Sequence, residues 1–168
     1  LATVLKLAKT IKKVGAVAGV CHGFIGNRML TGYGREAHLL VLEGARPEQV
    51  DQVLYQFGMP MGVIAMADMA GLDIGTRLRQ QMDESEYDVM STAVADRLVE
   101  QGRCGQKTGA GFYDYQAGNR TPIPSNPTHA SIDEPAENFA INQRTIDEDE
   151  MINRCLYAMC NMGFDILD

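Results

Sequence analysis

One long helical pattern, residues 24–43, places the strongest constraint on how this chain can fold. Its apolar side chains recur every three or four residues, at Ile25, Met29, Tyr33, Ala37 and Leu40. Such a period forms one apolar stripe of an α-helix, which other parts of the molecule must cover. Gly26, Gly32 and Gly34 interrupt the pattern, although each costs about 1 kcal/mol relative to Ala inside a helix. Their presence predicts the close approach of another helix, backbone or ligand.

The segments that follow predict further helices, so the fold class is mainly α. Pro47 opens a second helix at a first-turn position, where its missing N–H costs little, and Gly58 ends that helix. The two helices then form an αα-hairpin with a short connection. Residues 63–69 predict a short apolar helix, and Asp68 and Asp73 are interpreted as helix-terminus residues.

Later motifs predict two more helices and an anchored loop. Ser91 is a candidate N-cap, and Thr145 with Glu148 matches a capping box at the start of the last helix. Between them lies the glycine-rich segment Gly105–Tyr115, which contains Phe112 and Tyr113. This composition predicts a loop that folds back and is anchored by its aromatic side chains.

The N-terminal part of the chain has a different pattern. Residues 4–11 predict a helix, and Val14 to Val20 is a short run typical of a buried strand. A helix followed by a buried strand is the tail of an α/β layer. Residues 116–140 contain four prolines without a sustained period and predict a linker. Because helical patterns reach both ends of the chain, we expect a piece of a longer protein.

Charge and composition limit the kinds of molecule that this chain is expected to bind. The 168 residues include 15 basic and 22 acidic side chains, for a net charge of -7, which argues against nucleic acid or an anionic membrane as the main partner. No apolar run is long enough to span a bilayer. The four cysteines lack the spacing of metal ligands, so no metal site is expected. Reduced thiols in a cytoplasmic protein are the simplest interpretation.

Asn27, at the start of the long helix, is the first candidate site residue. A side-chain amide carries both a donor and an acceptor, so it suits a substrate oxygen that alternates between hydroxyl and carbonyl. Asn is also a common helix cap. Taken alone, these residues leave both interpretations open, and the cap is the simpler one.

Three motifs in order, His22–Met29, Met66–Asp73 and Gly105–Tyr113, resemble the C-terminal helical domain of NAD-dependent 3-hydroxyacyl-CoA dehydrogenases. The sequence is most similar to the dehydrogenase part of multifunctional fatty-acid oxidation enzymes, which also carry an enoyl-CoA hydratase domain. The resemblance covers about residues 1–115, and the helix from Thr145 resembles the second helical repeat of the multifunctional forms.

The resemblance implies four segments. Residues 1–20 would end an NAD-binding Rossmann domain, and residues 21–115 would form the helical dehydrogenase domain. Residues 116–140 would be a linker, and residues 141–168 would hold the first helix of a truncated second repeat.

The same resemblance implies roles for two residues. Asn27 would hydrogen-bond the oxygen of an acyl-CoA substrate, and Lys107 would reach NAD across a domain interface. The alternative for Lys107 is a solvated loop charge. NAD would be bound mainly by the Rossmann domain, whose Gly-x-Gly-x-x-Gly fingerprint and catalytic His–Glu pair are absent from this sequence. We therefore expect the isolated chain to be inactive as a dehydrogenase.

Several neighbouring residues have more modest interpretations. His22, His38 and His129 lack the family's catalytic context, and His22 is expected to hydrogen-bond within its loop. Arg28 is expected to anchor the helix through a salt bridge. Gly62-Val63 stands where the family usually has Gly-Pro.

A function of a different class is a helical dimerisation or interaction module, because glycine-notched helix faces suit homodimer contacts. As an oxidation enzyme, the protein would be cytoplasmic if bacterial, and peroxisomal or mitochondrial if eukaryotic.

Overall fold

The computed structural model describes residues 1–21 and 23–167. Within them, the chain forms eight α-helices: α1 Ala2–Thr10, α2 Gly26–Leu42, α3 Pro47–Phe57, α4 Val63–Ala70, α5 Leu72–Arg79, α6 Val89–Glu100, α7 Asn126–Asn138 and α8 Glu148–Asp165. Strand β1 (Tyr113–Asp114) pairs antiparallel with strand β2 (Ile123–Pro124), and 3₁₀ turns lie at Glu84–Glu86 and Gln106–Thr108. The predicted mainly α class is confirmed.

Helix α2 is the centre of the packing. It contacts α8 most extensively, and it also packs against α6, α4 and α7. The predicted apolar stripe is buried at Tyr33, Ala37 and Leu40, whereas Ile25 and Met29 remain partly exposed. The period of the sequence therefore identified the face of α2 that forms the core.

Helix α8 covers the glycine-notched part of α2. A Cβ atom added at Gly32 would lie 3.0 Å from the carbonyl oxygen of Ala158, so only glycine allows the two helices to approach this closely. Gly26 and Gly34 face no described atom within 4 Å of an added Cβ. The predicted close approach is confirmed at Gly32, whereas no described part of this chain approaches Gly26 or Gly34.

Ion pairs join α2 to α8 beside this contact. Arg154 donates to Glu36 at 3.0 Å and to both carboxylate oxygens of Glu43 at 2.7 and 2.8 Å. These charge-assisted hydrogen bonds, those to Glu43 above all, raise the pKa of Arg154. The fork geometry fixes how α8 lies along α2.

Residues 14–20 form no strand, and this part of the prediction is wrong. Val14 is 100% exposed and Val20 is 99% exposed. A strand needs a neighbour for its backbone hydrogen bonds, and no described segment pairs with this run. The preceding helix α1 is present as expected, but it buries none of its residues.

The stretch predicted as a linker over residues 116–140 contains helix α7. Its buried face has helical spacing but mixed chemistry: Thr128, Ser131, Ile132, Pro135 and Ala136. The sequence shows no apolar period over α7, because two of its buried positions are the hydroxyl residues Thr128 and Ser131 and a third is Pro135. Pro127 is tolerated near the start of the helix, where the N–H groups are unpaired in any case.

Two helix starts differ from the predicted caps. Asp88 caps α6 by accepting the N–H of Ser91, and Asp147 caps α8 by accepting the N–H of Glu150 at 2.7 Å. Ser91 and Thr145 are therefore not the N-caps. In both helices, the aspartate immediately before the first helical residue occupies the N-cap position.

A buried carboxylate holds α4 against α3. Asp51 accepts the backbone N–H groups of Ile64 at 2.8 Å and Ala65 at 2.9 Å, which satisfies two donors at the start of α4. Gly62 permits this contact, because an added Cβ would lie 2.1 Å from Cγ of Asp51. The glycine that precedes Val63 is thus required by packing.

A second buried carboxylate anchors the segment after α6. Asp68 accepts the backbone N–H groups of Phe112 and Tyr113, each at 2.9 Å, and the hydroxyl of Tyr115 at 3.0 Å. The Tyr113 hydroxyl donates to Asp51 at 2.7 Å and joins the two carboxylates. The loop anchored by its aromatic residues is confirmed, whereas the helix-terminus interpretation of Asp68 missed its structural role.

Burial controls the protonation of both acids. Removal from water raises the pKa of Asp51 and the pKa of Asp68, although the hydrogen bonds that each receives act in the opposite direction. Every described hydrogen-bond partner of these two side chains is a donor. Both oxygens of each side chain must therefore act as acceptors, which an ionised carboxylate can do.

Replacing Gly62 with Ala is expected to destabilise the chain by about 2–4 kcal/mol, because the new Cβ displaces the Asp51 carboxylate from the start of α4. Urea unfolding measures the change. Gly34→Ala is the matched control, since its Cβ meets no described atom and should leave stability unchanged or slightly higher. Equal stabilities for the two variants would contradict this account.

Asp68→Asn is expected to lower the free energy of unfolding by about 2–3 kcal/mol, because an amide presents N–H groups to partners that are themselves donors. Hydrogen exchange should accelerate at the Phe112 and Tyr113 amides. Asp133→Asn, at an exposed position of α7, is the control. Unchanged protection of the two amides would refute the anchoring role.

Candidate functional site

Asn27 is the second residue of α2, and its side chain is exposed. The N-cap position belongs to Ile25, and no side chain caps the helix there. The Asn27 backbone N–H donates to the carbonyl of Gly23 at 3.2 Å, while its amide side chain makes no hydrogen bond to a described residue. The cap interpretation is therefore wrong, and the amide is available to a ligand.

The backbone turns sharply just before Asn27. Gly23 and Phe24 both have positive φ values, of 72° and 48°. A left-handed conformation is unusual at an aromatic residue and is a local source of strain. This turn sets the direction from which the chain enters α2. The expected hydrogen-bonding role of His22 lies outside the described residues.

Arg28 does not form the expected salt bridge with any residue in the described ranges. Its side chain instead lies along the turn, where an added Cβ at Gly23 would be 3.4 Å from its Cγ. Packing of the aliphatic part of Arg28 therefore accounts for the contact.

Lys107 lies in the 3₁₀ turn that follows α6. Its ammonium group contacts the carboxylate of Asp73, while 48% of the side chain remains exposed. The hydrogen bond from Lys107 holds the pKa of Asp73 below its usual range. Asp73 also pairs with Arg77 at 3.2 Å, and the N-cap of α5 is Gly71 rather than Asp73. Lys107 is thus a positioned cation, half in solvent.

Lys107 faces a cleft of roughly 810 Å³. The other lining residues are Met69, Gln106, Gly109, Tyr115, Gln116, Ala117, Gly118, Asn119 and Arg120. This lining contains two cations and no carboxylate. The cleft can therefore accept an anionic group despite the negative net charge of the chain.

Glycines shape the wall of the cleft for steric reasons. A Cβ added at Gly105 would lie 2.2 Å from the carbonyl oxygen of Asp68, and one at Gly111 would lie 2.0 Å from its Oδ1. Gly105 and Gly109 also have positive φ values, of 101° and 76°. The glycine spacing around Lys107 is explained by the tight approach to the anchoring carboxylate.

Thr108 completes this turn with its hydroxyl. The oxygen accepts the backbone N–H of Cys104 at 2.9 Å, and the hydroxyl donates to the carbonyl of Ala110 at 2.9 Å. The Lys-Thr-Gly order therefore places a cation outward, a bridging hydroxyl inward and a left-handed residue at the end of the turn.

Arg103 is a structural residue that the sequence did not reveal. Its Nε donates to the carbonyl of Gly111 at 3.0 Å, and its Nη2 donates to Asp114 at 2.9 Å and to Ser125 at 2.8 Å. These bonds tie β1 to the start of α7. An isolated Arg in a loop carries no pattern that would predict such a role.

The described histidines lie outside the cleft lining. Nδ1 of His38 is 3.2 Å from the carbonyl oxygen of Ser91, and its ring centroid is 5.3 Å from that of Phe112. Burial lowers the pKa of His38 to about 4, so it is neutral near pH 7. His129 pairs with Glu48 at 3.3 Å. Both histidines therefore have partners within the described part of the chain.

Asn27 and Lys107 belong to elements that share a neighbour. Helix α4 contacts both α2 and the 3₁₀ turn that carries Lys107. No hydrogen bond or ion pair joins the two side chains within the described ranges. The amide of Asn27 is exposed and has no described partner, whereas the ammonium of Lys107 contacts Asp73 and 48% of that side chain remains exposed.

The described part of the chain offers neither a membrane-spanning helix nor a cluster of metal ligands. None of its helices combines the length and apolar character needed to cross a membrane. No group of three or more His, Cys, Asp or Glu side chains in residues 1–21 and 23–167 is arranged to hold a metal ion.

Comparisons with curated proteins give a consistent set of relatives. The peroxisomal bifunctional enzymes of Cavia porcellus and Homo sapiens are 41% and 40% identical, over 99% of this chain and 25% of each relative. The fatty acid oxidation complex subunit alpha of Psychrobacter arcticus is 34% identical, over 96% of this chain and 23% of the relative. The chain thus spans about a quarter of the length of the curated relatives it matches.

Solved structures have the same fold. The dehydrogenase part of multifunctional enzyme 1 from C. elegans matches with a TM-score of 0.77 and 28% identity, over 98% of this chain and 36% of that chain. (S)-3-hydroxybutyryl-CoA dehydrogenase from Ralstonia eutropha matches with a TM-score of 0.57 and 31% identity, over 68% of this chain and 42% of that chain.

The family comparison covers the site itself. The sequence model of the 3-hydroxyacyl-CoA dehydrogenase C-terminal domain matches residues 23–115, which include Asn27, Asp68 and Lys107. The chain belongs to the 3-hydroxyacyl-CoA dehydrogenase C-terminal domain family.

Proposed function

We propose that this chain forms the substrate-facing wall of an NAD-dependent 3-hydroxyacyl-CoA dehydrogenase, within a multifunctional enzyme of fatty-acid oxidation. The observation that carries this proposal is the exposed amide of Asn27, which makes no hydrogen bond to a described residue. It lies inside the matched family domain and at the start of the central helix. The (3S)-3-hydroxyacyl-CoA would be oxidised to 3-oxoacyl-CoA.

Asn27 suits an oxygen that changes character during this reaction. In the 3-hydroxyacyl-CoA the oxygen is a hydroxyl, and in the product it is a carbonyl. The amide N–H can donate a hydrogen bond to the oxygen in both forms, and the amide oxygen can accept a hydrogen bond from the hydroxyl of the 3-hydroxyacyl-CoA. The first turn of α2 adds the positive end of the helix dipole, which favours developing negative charge on that oxygen. Asn27 orients the reacting group and does not remove its proton.

Lys107 is proposed as a cofactor contact. NAD, when bound, supplies the hydride acceptor for this oxidation. The cleft beside Lys107 is lined by two cations and no carboxylate, which fits the phosphate groups of a dinucleotide. The nucleotide-binding fold and the catalytic base would be supplied by another domain of the same protein, because this sequence lacks their motifs.

The relatives favour one type of parent enzyme. Identity is 39–41% with the peroxisomal bifunctional enzymes and 32–34% with the bacterial subunits. We therefore infer a multifunctional enzyme of the peroxisomal type, whose partners within the chain are its own other domains.

The alternative function, a dimerisation module, is less well supported than the dehydrogenase role, because the face of α2 around Gly32 is already covered. Helix α8 already covers the part of α2 around Gly32, and Arg154 fixes it there. A homodimer through this face would have to displace α8 and break its ion pairs. Of the three glycines on this helix, Gly32 is therefore covered within the chain, whereas Gly26 and Gly34 are not.

The isolated 168-residue chain is expected to show no dehydrogenase turnover, because neither a catalytic base nor a nucleotide-binding fingerprint is present. Absorbance of NADH at saturating NAD and a 3-hydroxyacyl-CoA measures this. The full-length enzyme is the positive control. NADH formation by the purified chain would overturn the division of roles.

Asn27→Ala in the full-length enzyme is expected to lower kcat by about 10²-fold, because one preorganised donor to the substrate oxygen is lost. The melting temperature of the isolated chain should not change, since the side chain is exposed. Steady-state kinetics and thermal unfolding measure the two effects.

Asn153→Ala is the matched control, because Asn153 is an exposed residue on α8. It should leave both kinetics and stability unchanged. Wild-type kinetics for the Asn27 variant would remove Asn27 from the site, whereas loss of activity with loss of folding would assign it a structural role.

A further inference from the structure

We propose that Arg120 and Lys107 together bind the diphosphate of a nucleotide, so that residues 116–120 form a second wall of the nucleotide site. The proposal deepens the proposed function, because it names the group bound in the cleft and a residue outside the family-matched range 23–115. It rests on four features of the cleft: its charge, the availability of Arg120, the order of the segment and the cleft's size.

The charge of the cleft opposes the charge of the chain. Acidic residues outnumber basic ones by 22 to 15, yet the lining contains Lys107, Arg120 and no carboxylate. Asp73 contacts the Lys107 ammonium but does not line the cleft. Gln106 and Asn119 add neutral hydrogen-bonding groups. Such a lining recognises an anion.

Arg120 has an uncommitted guanidinium. It is exposed and forms no ion pair or side-chain hydrogen bond with residues 1–21 or 23–167. Arg103 differs, because its donors are used by Gly111, Asp114 and Ser125. A planar guanidinium offers two parallel N–H donors that match the oxygens of a phosphate.

The segment that carries Arg120 has a defined backbone. It connects β1 to β2, whose register pairs Tyr113 with Pro124. The Asn119 N–H donates to the carbonyl of Gln116 at 2.9 Å, and its side-chain oxygen accepts the N–H of Thr121 at 2.9 Å. Gly118 supplies the left-handed residue of this turn, with φ of 77°. Arg120 is therefore presented by a hydrogen-bonded turn.

The size of the cleft and the number of cations indicate the ligand class. A volume of roughly 810 Å³ exceeds what a single phosphate needs and lies within the range of small-molecule sites. Two cations on one cleft match two adjacent phosphates. NAD and coenzyme A share this chemistry, because both contain an adenosine diphosphate group.

Residue-resolved NMR titration of the 18.4 kDa chain tests the proposal. NADH and coenzyme A are added separately, and sodium pyrophosphate is added as a competitor. We expect saturable shifts at the amides of Lys107, Gly118 and Arg120, which pyrophosphate reverses. Whichever of NADH and coenzyme A binds more tightly identifies the nucleotide, and either result supports the diphosphate site.

Arg120→Gln should weaken the binding of that nucleotide about tenfold, and Arg120→Lys should recover part of the loss because the charge is kept. Arg46→Gln is the matched control, since Arg46 is exposed, lies outside the cleft and loses the same charge. It should bind as the wild-type chain does.

The proposal fails if neither nucleotide shifts these amides, if pyrophosphate does not compete, or if Arg120→Gln binds as tightly as Arg46→Gln. Such a failure is separable from a failure of the proposed function, because Asn27→Ala is measured by turnover and does not touch the cleft lining. Loss of turnover with Asn27→Ala would then stand without the second wall.

Discussion

Two buried carboxylates joined by one tyrosine hold this structure together. Asp51 satisfies the start of α4, Asp68 satisfies the backbone after α6, and Tyr113 bonds to both through its hydroxyl and its N–H. A buried carboxylate is costly unless its oxygens are hydrogen-bonded, and here each receives three donors. Because these hydrogen bonds must all form at once, α3, α4 and the loop that contains Phe112 and Tyr113 can pack together in few ways. The polar network therefore fixes geometry that apolar packing alone would leave adjustable.

The candidate site depends on this network through its backbone. Gly105 and Gly111 lie against Asp68 with no space for a Cβ, so the turn between them projects Lys107 outward beside the cleft. Asn27 is positioned differently, by the central helix and by a strained turn before it. The position of Lys107 is thus set by buried electrostatics and that of Asn27 by helix packing, and α4 contacts the elements that carry both candidate residues.

How well each segment was predicted from the sequence depended on the chemistry of its buried side chains. The apolar stripe of α2, the Pro47 start of α3 and the aromatic anchor of the loop were predicted because their side chains are apolar or conformationally special. Helix α7 was missed because its buried face includes hydroxyl side chains, and residues 14–20 were misassigned because a β-like composition does not supply a pairing partner. Arg103 gave no local signal, since its partners lie 8 to 25 residues away along the chain.

The sequence by itself determined the helical class, the family and the two candidate residues, Asn27 and Lys107, because each depends on short motifs and on local periodicity. The tertiary structure alone decided which polar groups are committed and which are available. It showed that Asp68 is consumed by backbone donors, that Lys107 is held by Asp73, and that the Asn27 amide has no described partner. The physical reason is that burial and hydrogen-bond satisfaction are set by residues distant in sequence, which no local pattern records.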